Sequence, residues 1–141
     1  MELSPYLLAI VLAWVVAQGS KFLINSIKNS GVIDYRQLYS SGSMPSSHSA
    51  AAIALMSIVG LRDGIDTAIF GVVTLFAAIV MYDAFMVRRS TGEQGEAIQA
   101  LIKEQNSKVR LPRAAKGHEP LEVAVGALIG LAIGTVVFFM Y

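Results

Sequence analysis

Long apolar runs, separated by short charged connections, constrain this chain most. The runs cover residues 5–24, 45–61, 65–87 and 120–141. A helix needs about 20 apolar residues to cross the roughly 30 Å hydrocarbon core of a bilayer. The run at 45–61 is shorter, but it is rich in small side chains that suit close helix packing. The sequence predicts an all-α integral membrane bundle of four transmembrane helices, with residues 1–141 forming a single membrane domain.

The overall composition excludes several function classes. The chain is 55% hydrophobic and 15% charged, whereas a soluble domain of this size would cover its core with charge. The net charge of +1 provides no broad basic surface, so nucleic acid is not an expected partner. With no cysteine, the chain can form neither a disulfide nor a thiolate metal site. A nucleophile must therefore be another residue type.

The basic residues are distributed unevenly between the two sides of the predicted bundle. All but Arg62 flank or occupy the first and third connections, at about 25–43 and 88–119. By the positive-inside rule these connections are cytoplasmic and both termini lie outside. The residues on the basic side are Lys21, Lys28, Arg36, Arg88, Arg89, Lys103, Lys108, Arg110, Arg113 and Lys116.

The third connection has a helical pattern of its own. Ser90 and Glu93 have the spacing of a capping box. One helical face then carries Ala97, Ile98, Leu101 and Ile102. We expect an amphipathic helix at the membrane interface, with an ordinary solvated connector helix as the alternative.

The second run begins with a cluster of hydroxyls and an imidazole. Pro45 suits a helix start, and Ser46 and Ser47 suit capping. A helix N-terminus favours an anion, so these groups are suited to hold a phosphate while His48 donates a proton to its leaving oxygen. The alternative is a capped helix start with His48 at the interface.

The fourth run begins with the second histidine, His118, also on the predicted cytoplasmic side. Glu122 follows four residues later and is placed to fix the tautomer of the imidazole and to stabilise its charged form. A histidine held in this way is a credible nucleophile. The alternative is that the carboxylates of Glu119 and Glu122 serve the helix dipole.

Cations near both histidines are candidates for binding phosphate oxygens. Lys21 ends the first span, and Arg88 and Arg89 follow the third. The alternative is that these residues snorkel as membrane anchors. Asp83, inside the third span, requires a cationic partner such as Lys21 or Arg88.

Three glycines recur every four residues on the last span, at Gly126, Gly130 and Gly134. Such a stripe lets another helix approach closely. Packing explains it better than catalysis does, and a homodimer formed through this stripe is one option.

The histidine motifs resemble those of the type-2 phosphatidic-acid phosphatase and vanadium haloperoxidase superfamily, especially its small divergent membrane branch in bacteria and plants. The superfamily motif Pro-Ser-Gly-His is resembled by Pro45-Ser46-Ser47-His48, and its motif His-x3-Asp by His118-x3-Glu122. The resemblance covers most of the chain.

The resemblance implies a role for each matching residue. His118 attacks phosphorus and forms a phosphohistidine, Glu122 orients it, and His48 protonates the leaving group. The amides and hydroxyls around Ser46 and Ser47 hold phosphate oxygens.

The chain departs from the family's pattern in its first motif and in its number of spans. The motif Lys-x6-Arg-Pro is approximated by Lys21-x6-Lys28-Asn29, which replaces the guanidinium and the proline. The family usually has six spans instead of four.

The family's phosphate-binding arginine, six positions before the nucleophile, has no counterpart at that spacing. Arg88 or Arg89 is the preferred substitute because each follows a membrane span, with residues 90–117 acting as an insertion. Arg113, five residues before His118, is the alternative.

These observations predict a lipid phosphate or pyrophosphate phosphatase in a bacterial plasma membrane, with its site on the cytoplasmic face. Neither histidine has metal-ligand spacing, so no cofactor and no metal are expected. The expected partners are a lipid phosphate substrate and membrane lipids. One rival is an inactive membrane protein that binds a lipid phosphate headgroup for carriage, sensing or assembly. A third interpretation, a purely structural four-helix scaffold, does not explain why a histidine lies at the start of two helices.

Overall fold

A computed structural model describes residues 3–28, 44–112, 114 and 117–141, and the prediction of an all-α fold is confirmed. A π-helical turn joins the third helix to the fourth without a break. The helices are α1 (Pro5–Lys28), α2 (Ser47–Arg62), α3 (Ala68–Tyr82), α4 (Arg88–Glu104) and α5 (Pro120–Met140), and the π-helical turn is Asp83–Val87.

Within the residues that the structure describes, three helical stretches are long and apolar enough to cross a membrane: Pro5–Ile24, Ala68–Glu104 and Pro120–Met140. The second predicted span corresponds to α2, an apolar helix of 16 residues. Although short, α2 packs against α1, α3 and α5 and therefore lies at the centre of the bundle.

The core of the bundle is built from small side chains. Ala9, Ala13 and Ala17 recur every four residues on α1 and are fully buried with Ala50 and Ala54 of α2. Residues four apart lie on one helical face, so two alanine faces meet and the helix backbones approach closely.

The glycine stripe of α5 makes the second close contact of α2. A Cβ at Gly126 would collide with the carbonyl oxygen of Ser46, and a Cβ at Gly130 with that of Ala50. The stripe is therefore a helix-packing surface, as predicted, but its partner is α2 of the same chain. It offers no free surface to a second copy, so a homodimer requires another face of the molecule and stays a prediction.

Hydrogen bonds at the two ends of α2 define the direction of the helices. At its C-terminal end, the Tyr6 hydroxyl lies 2.7 and 2.9 Å from the two carboxylate oxygens of Asp63 and donates to that carboxylate. At its N-terminal end, the Ser46 N–H donates to the Glu122 carbonyl at 3.0 Å. Hence α2 runs antiparallel to α1 and parallel to α5. At about 1.5 Å per residue, the stretch from Tyr6 to Lys21 covers about 22 Å.

The prediction of a separate helix that starts with a capping box at Ser90 is wrong. The helix continues from α3 through the π-helical turn into α4, and the Ser90 hydroxyl accepts from the Gln94 side chain at 3.0 Å within it. Residues 72–91 contain neither glycine nor proline, so nothing in the sequence ends the helix.

The continuous helix is much longer than a membrane is thick. Its 37 residues cover about 55 Å, against a hydrocarbon core of roughly 30 Å. Part of this helix therefore extends past the hydrocarbon core. Its last part, α4, lies at the end of the bundle where α2 and α5 begin. The placement of α4 at the membrane interface stays a prediction.

After α4 the chain turns and returns towards the bundle. Asn106 adopts the left-handed conformation at the turn, with φ 47°. The Gln99 side chain then donates to the Pro112 carbonyl at 2.6 Å, which ties the returning segment to α4. This return brings residues 117–119 to the start of α5.

Candidate active site

The start of α5 is fixed by a capping box. Glu119 is the N-cap and Pro120 the first helical residue, a position that its missing N–H suits. The Glu119 side chain accepts from the N3 backbone, and the Glu122 side chain accepts from the Glu119 N–H at 3.1 Å. Both carboxylates therefore stabilise the helix start, as the dipole alternative proposed.

The same Glu122 side chain also holds the histidine. Its Oε2 lies 2.9 Å from Nδ1 of His118, whose residue exposure is 7%. The predicted contact between these two residues is confirmed, although His118 precedes the helix and Glu122 reaches back to it. Because a carboxylate only accepts, Nδ1 carries a hydrogen, and in the neutral ring the lone pair then lies on Nε2.

The start of α2 lies directly beside this pair. Ser46 is its N-cap, and its hydroxyl accepts from the Ser49 N–H at 3.4 Å and from the Ser49 hydroxyl at 2.9 Å. Ser46 and Ser47 are buried, whereas His48 is exposed. The Ser46 hydroxyl thus serves as a helix cap, and the role of both serines in phosphate binding stays a prediction.

Two cations approach His48 from other helices. Lys21 on α1 is 95% buried, and its charge interacts with those of Glu122 and His48. Arg88 at the start of α4 also lies close enough to His48 for their charges to interact. The geometry therefore brings together basic groups that are far apart in sequence.

Arg88 is also the partner that Asp83 requires. Its Nε donates to Oδ2 of Asp83 at 2.6 Å across the π-helical turn. The sequence left either Lys21 or Arg88 as the partner of Asp83, and this contact identifies Arg88. Arg113 and the side chain of Lys28 lie outside the described residues.

A cleft of about 210 Å³ opens on the α4 side of His118. Arg89 faces it and donates to Glu93 at 3.1 Å, so that its charge is already partly balanced. The lining contains more carboxylates than cations, a feature that the sequence did not reveal. The residues around the cleft are Arg89, Gly92, Glu93, Glu96, Gly117, His118 and Glu119.

Sequence reasoning missed how the backbone holds His118. Its N–H donates to the Ala84 carbonyl at 3.0 Å, inside the π-helical turn. Gly117 lies directly on the backbone of Arg88 and Arg89, where a Cβ would collide with Arg89. The sequence signal that could have indicated this close backbone contact was the glycine directly before His118.

Comparison with known proteins agrees with these features. Residues 3–133 match the profile of the Divergent PAP2 family. An uncharacterized membrane protein, YuiD of Bacillus subtilis (strain 168), is 36% identical over 150 residues, covering 96% of this chain and 92% of that protein. No solved structure matches the chain. With its long apolar helices and the match over nearly its whole length, the chain is an integral membrane protein that belongs to the Divergent PAP2 family.

Proposed function

We propose that this protein is a lipid phosphate phosphatase in which His118 is the nucleophile. The observation that carries the proposal is the buried His118–Glu122 pair, with its 2.9 Å contact, beside the buried Lys21. A packing role does not require a carboxylate to hold an imidazole next to a buried ammonium group. The arrangement suits attack on a phosphate, because the imidazole is oriented and a cation is available for phosphate oxygens.

The first chemical step forms a phosphohistidine. The lone pair on Nε2 of His118 attacks phosphorus, and the bond from phosphorus to the lipid oxygen breaks. His48 in its protonated form gives its proton to that oxygen, so a lipid alcohol leaves. Glu122 stabilises the positive charge that develops on the His118 ring.

The second step releases phosphate. Neutral His48 takes a proton from water as the water attacks phosphorus, and the bond between phosphorus and Nε2 breaks. Inorganic phosphate leaves and both histidines return to their starting states. Lys21, Arg88 and the backbone amides of the first turn of α2 stabilise the phosphate oxygens in both steps.

The substrate is a lipid, since the site lies at the end of a bundle of apolar helices. The cleft beside His118 contains three carboxylates, from Glu93, Glu96 and Glu119, and one guanidinium. A second phosphate in this cleft would be repelled by the excess negative charge. Among lipid phosphates, we therefore favour a monoester over a pyrophosphate.

We also propose that all four helices cross the membrane with the site on the cytoplasmic face. Tyr6 and Lys21 lie near opposite ends of α2, which supports a crossing by this short helix. The site end carries Lys21, Arg88 and Arg89, whereas Arg62 lies at the other end, which supports a cytoplasmic site. Such a site suits a lipid phosphate made in the cytoplasm.

The absence of cysteine permits a direct test of this topology. We expect a cysteine at Asp66 to react with a membrane-impermeant maleimide in intact cells, because that exposed loop would lie outside. A cysteine at Gln105, exposed after α4, should react after permeabilisation alone. The reverse labelling pattern would place the site on the outer face.

The activity is tested with purified protein in detergent, with a chelator present. We expect wild-type protein to release phosphate from a panel of lipid phosphates, with a monoester turned over faster than a pyrophosphate on the same chain. Binding of these lipids without release would favour the rival, a protein that carries or senses a phosphate headgroup. Faster turnover of the pyrophosphate would contradict our account of the cleft.

A further inference from the structure

The π-helical turn at Asp83–Val87 changes the hydrogen bonding of one carbonyl group. In a regular α-helix the Arg88 N–H would donate to the carbonyl of Ala84, four residues before it. Here the Arg88 N–H donates to the Asp83 carbonyl, five residues before it. The Ala84 carbonyl accepts from the His118 N–H instead, at 3.0 Å. The extra residue of the turn thus supplies a backbone acceptor to the segment that carries the candidate nucleophile.

A second contact fixes the same segment against the helix. Gly117 lies so close to the backbone of Arg88 and Arg89 that a Cβ at this position would collide with the backbone of Arg89. Ala84 is itself 4% exposed, so its carbonyl lies in a buried environment where an unpaired acceptor is costly. Two adjacent residues are thus held by main-chain contacts with the helix.

The turn also changes which side chains meet. Residues five apart in an α-helix point about 140° away from each other, at about 100° per residue. Asp83 and Arg88 are five apart, yet their side chains form an ion pair of 2.6 Å. The wider turn therefore places the Arg88 guanidinium beside Asp83 while the backbone holds His118.

We infer that the π-helical turn, through Ala84 and with Gly117 packed on the helix after it, positions the nucleophile His118 relative to the phosphate-binding Arg88. This inference rests on the proposed function. Turns of this kind are often found at functional sites. Ala84 and Gly117 are positioning residues, because they act through the backbone of His118 and do not contact the phosphate.

Deleting Met86 tests the inference, because removing one residue lets the turn become a regular α-helix. The Arg89 N–H, which then lies four residues after Ala84, competes with His118 for the Ala84 carbonyl. Arg88, then four residues after Asp83, stays on the same face as that carboxylate. We expect kcat to fall about 100-fold, the scale of a misplaced reacting group. KM should change little, because Arg88 keeps its place beside Asp83. The matched control Met86→Ala removes the same half-exposed side chain, keeps the turn and should retain both constants.

Gly117→Ala provides a second variant that leaves the turn intact. Its Cβ pushes the segment away from α4, so we expect kcat to fall to a similar extent while KM changes little, because Arg88 stays in place. Hydrogen exchange of the His118 amide, measured by NMR, gives a readout without substrate. This amide should exchange slowly in wild type and in Met86→Ala, and faster in both other variants.

The outcomes separate this inference from the proposed function. If wild type releases phosphate but a folded Met86 deletion and Gly117→Ala both keep its kcat, the positioning role is wrong and the phosphatase stands. If the Met86 deletion does not fold, Gly117→Ala decides alone. If wild type releases no phosphate from any lipid, the proposed function fails. An equally slow exchange of the His118 amide in all folded variants would then overturn the inference as well.

Discussion

We expect His118→Asn to lower phosphate release by roughly 10,000-fold or more, the scale on which enzymes lose activity without their nucleophile. Asparagine places an amide near the position of Nδ1, so the contact with Glu122 that is 2.9 Å long in the native protein can be kept. It removes the lone pair of Nε2, without which no phosphohistidine forms. The measurement is phosphate release from a lipid monoester at saturating substrate.

One matched variant, His48→Gln, sharpens this result. His48→Gln removes the acid but keeps the nucleophile, so a smaller loss of about 100-fold to 10,000-fold is expected. Its loss should be smallest with a lipid phosphate whose leaving group is already acidic, because such a group needs no proton. If His118→Asn retains a rate within tenfold of wild type while folded, His118 is not the nucleophile.

We expect Gly130→Ala to cause a large loss of stability, because it adds a methyl group to the tightest part of the helix interface. A Cβ at this position would collide with the carbonyl oxygen of Ala50, which is backbone and cannot rotate away. Overpacking costs roughly 1–3 kcal/mol, and a backbone neighbour favours the upper end, so we expect a loss of about 3 kcal/mol. Reversible unfolding in mixed micelles, followed by circular dichroism, measures this change.

Gly71→Ala is the control for this substitution. Gly71 also lies in an apolar helix, but a Cβ there has nothing within 4 Å. Alanine is the better helix former by about 1 kcal/mol, so this variant should be as stable as wild type or more so. Equal losses in both variants would mean that α5 does not depend on close contact with α2.

Much of the fold could be predicted because membrane helices are specified by local composition. A run of about 20 apolar residues has few alternatives to a helix in a bilayer, since every backbone group must be bonded within the segment. The contact between His118 and Glu122 was predictable from their spacing. Both residues lie within one turn of a helix start, where local geometry decides which groups meet.

The positions of α4 and the π-helical turn could not be derived in the same way. Ser90 and Glu93 have the spacing of a capping box, but the chain between Asp83 and Ser90 contains no residue that ends a helix. Within the π-helical turn, the Ala84 carbonyl accepts a hydrogen bond from His118, which is distant in sequence. A local pattern carries no information about such a partner.

The partner of the glycine stripe also could not be predicted from the sequence. Gly126, Gly130 and Gly134 predict a close helix approach, but any smooth surface satisfies that requirement. The partner is α2, where Ala50 and Ala54 present small side chains to the stripe. The same complementarity explains why the start of α2 lies against Glu122.

The most direct test of the central claim is to trap the phosphorylated protein. Wild type and His118→Asn are mixed with a lipid monoester labelled with radioactive phosphate, in the presence of a chelator, and quenched in alkali within one turnover. We predict label on the wild-type protein that survives alkali and is lost in acid, as expected for phosphohistidine, and none on His118→Asn. Phosphate release by wild type without labelled protein, or equal labelling of the variant, would contradict a histidine nucleophile at this site.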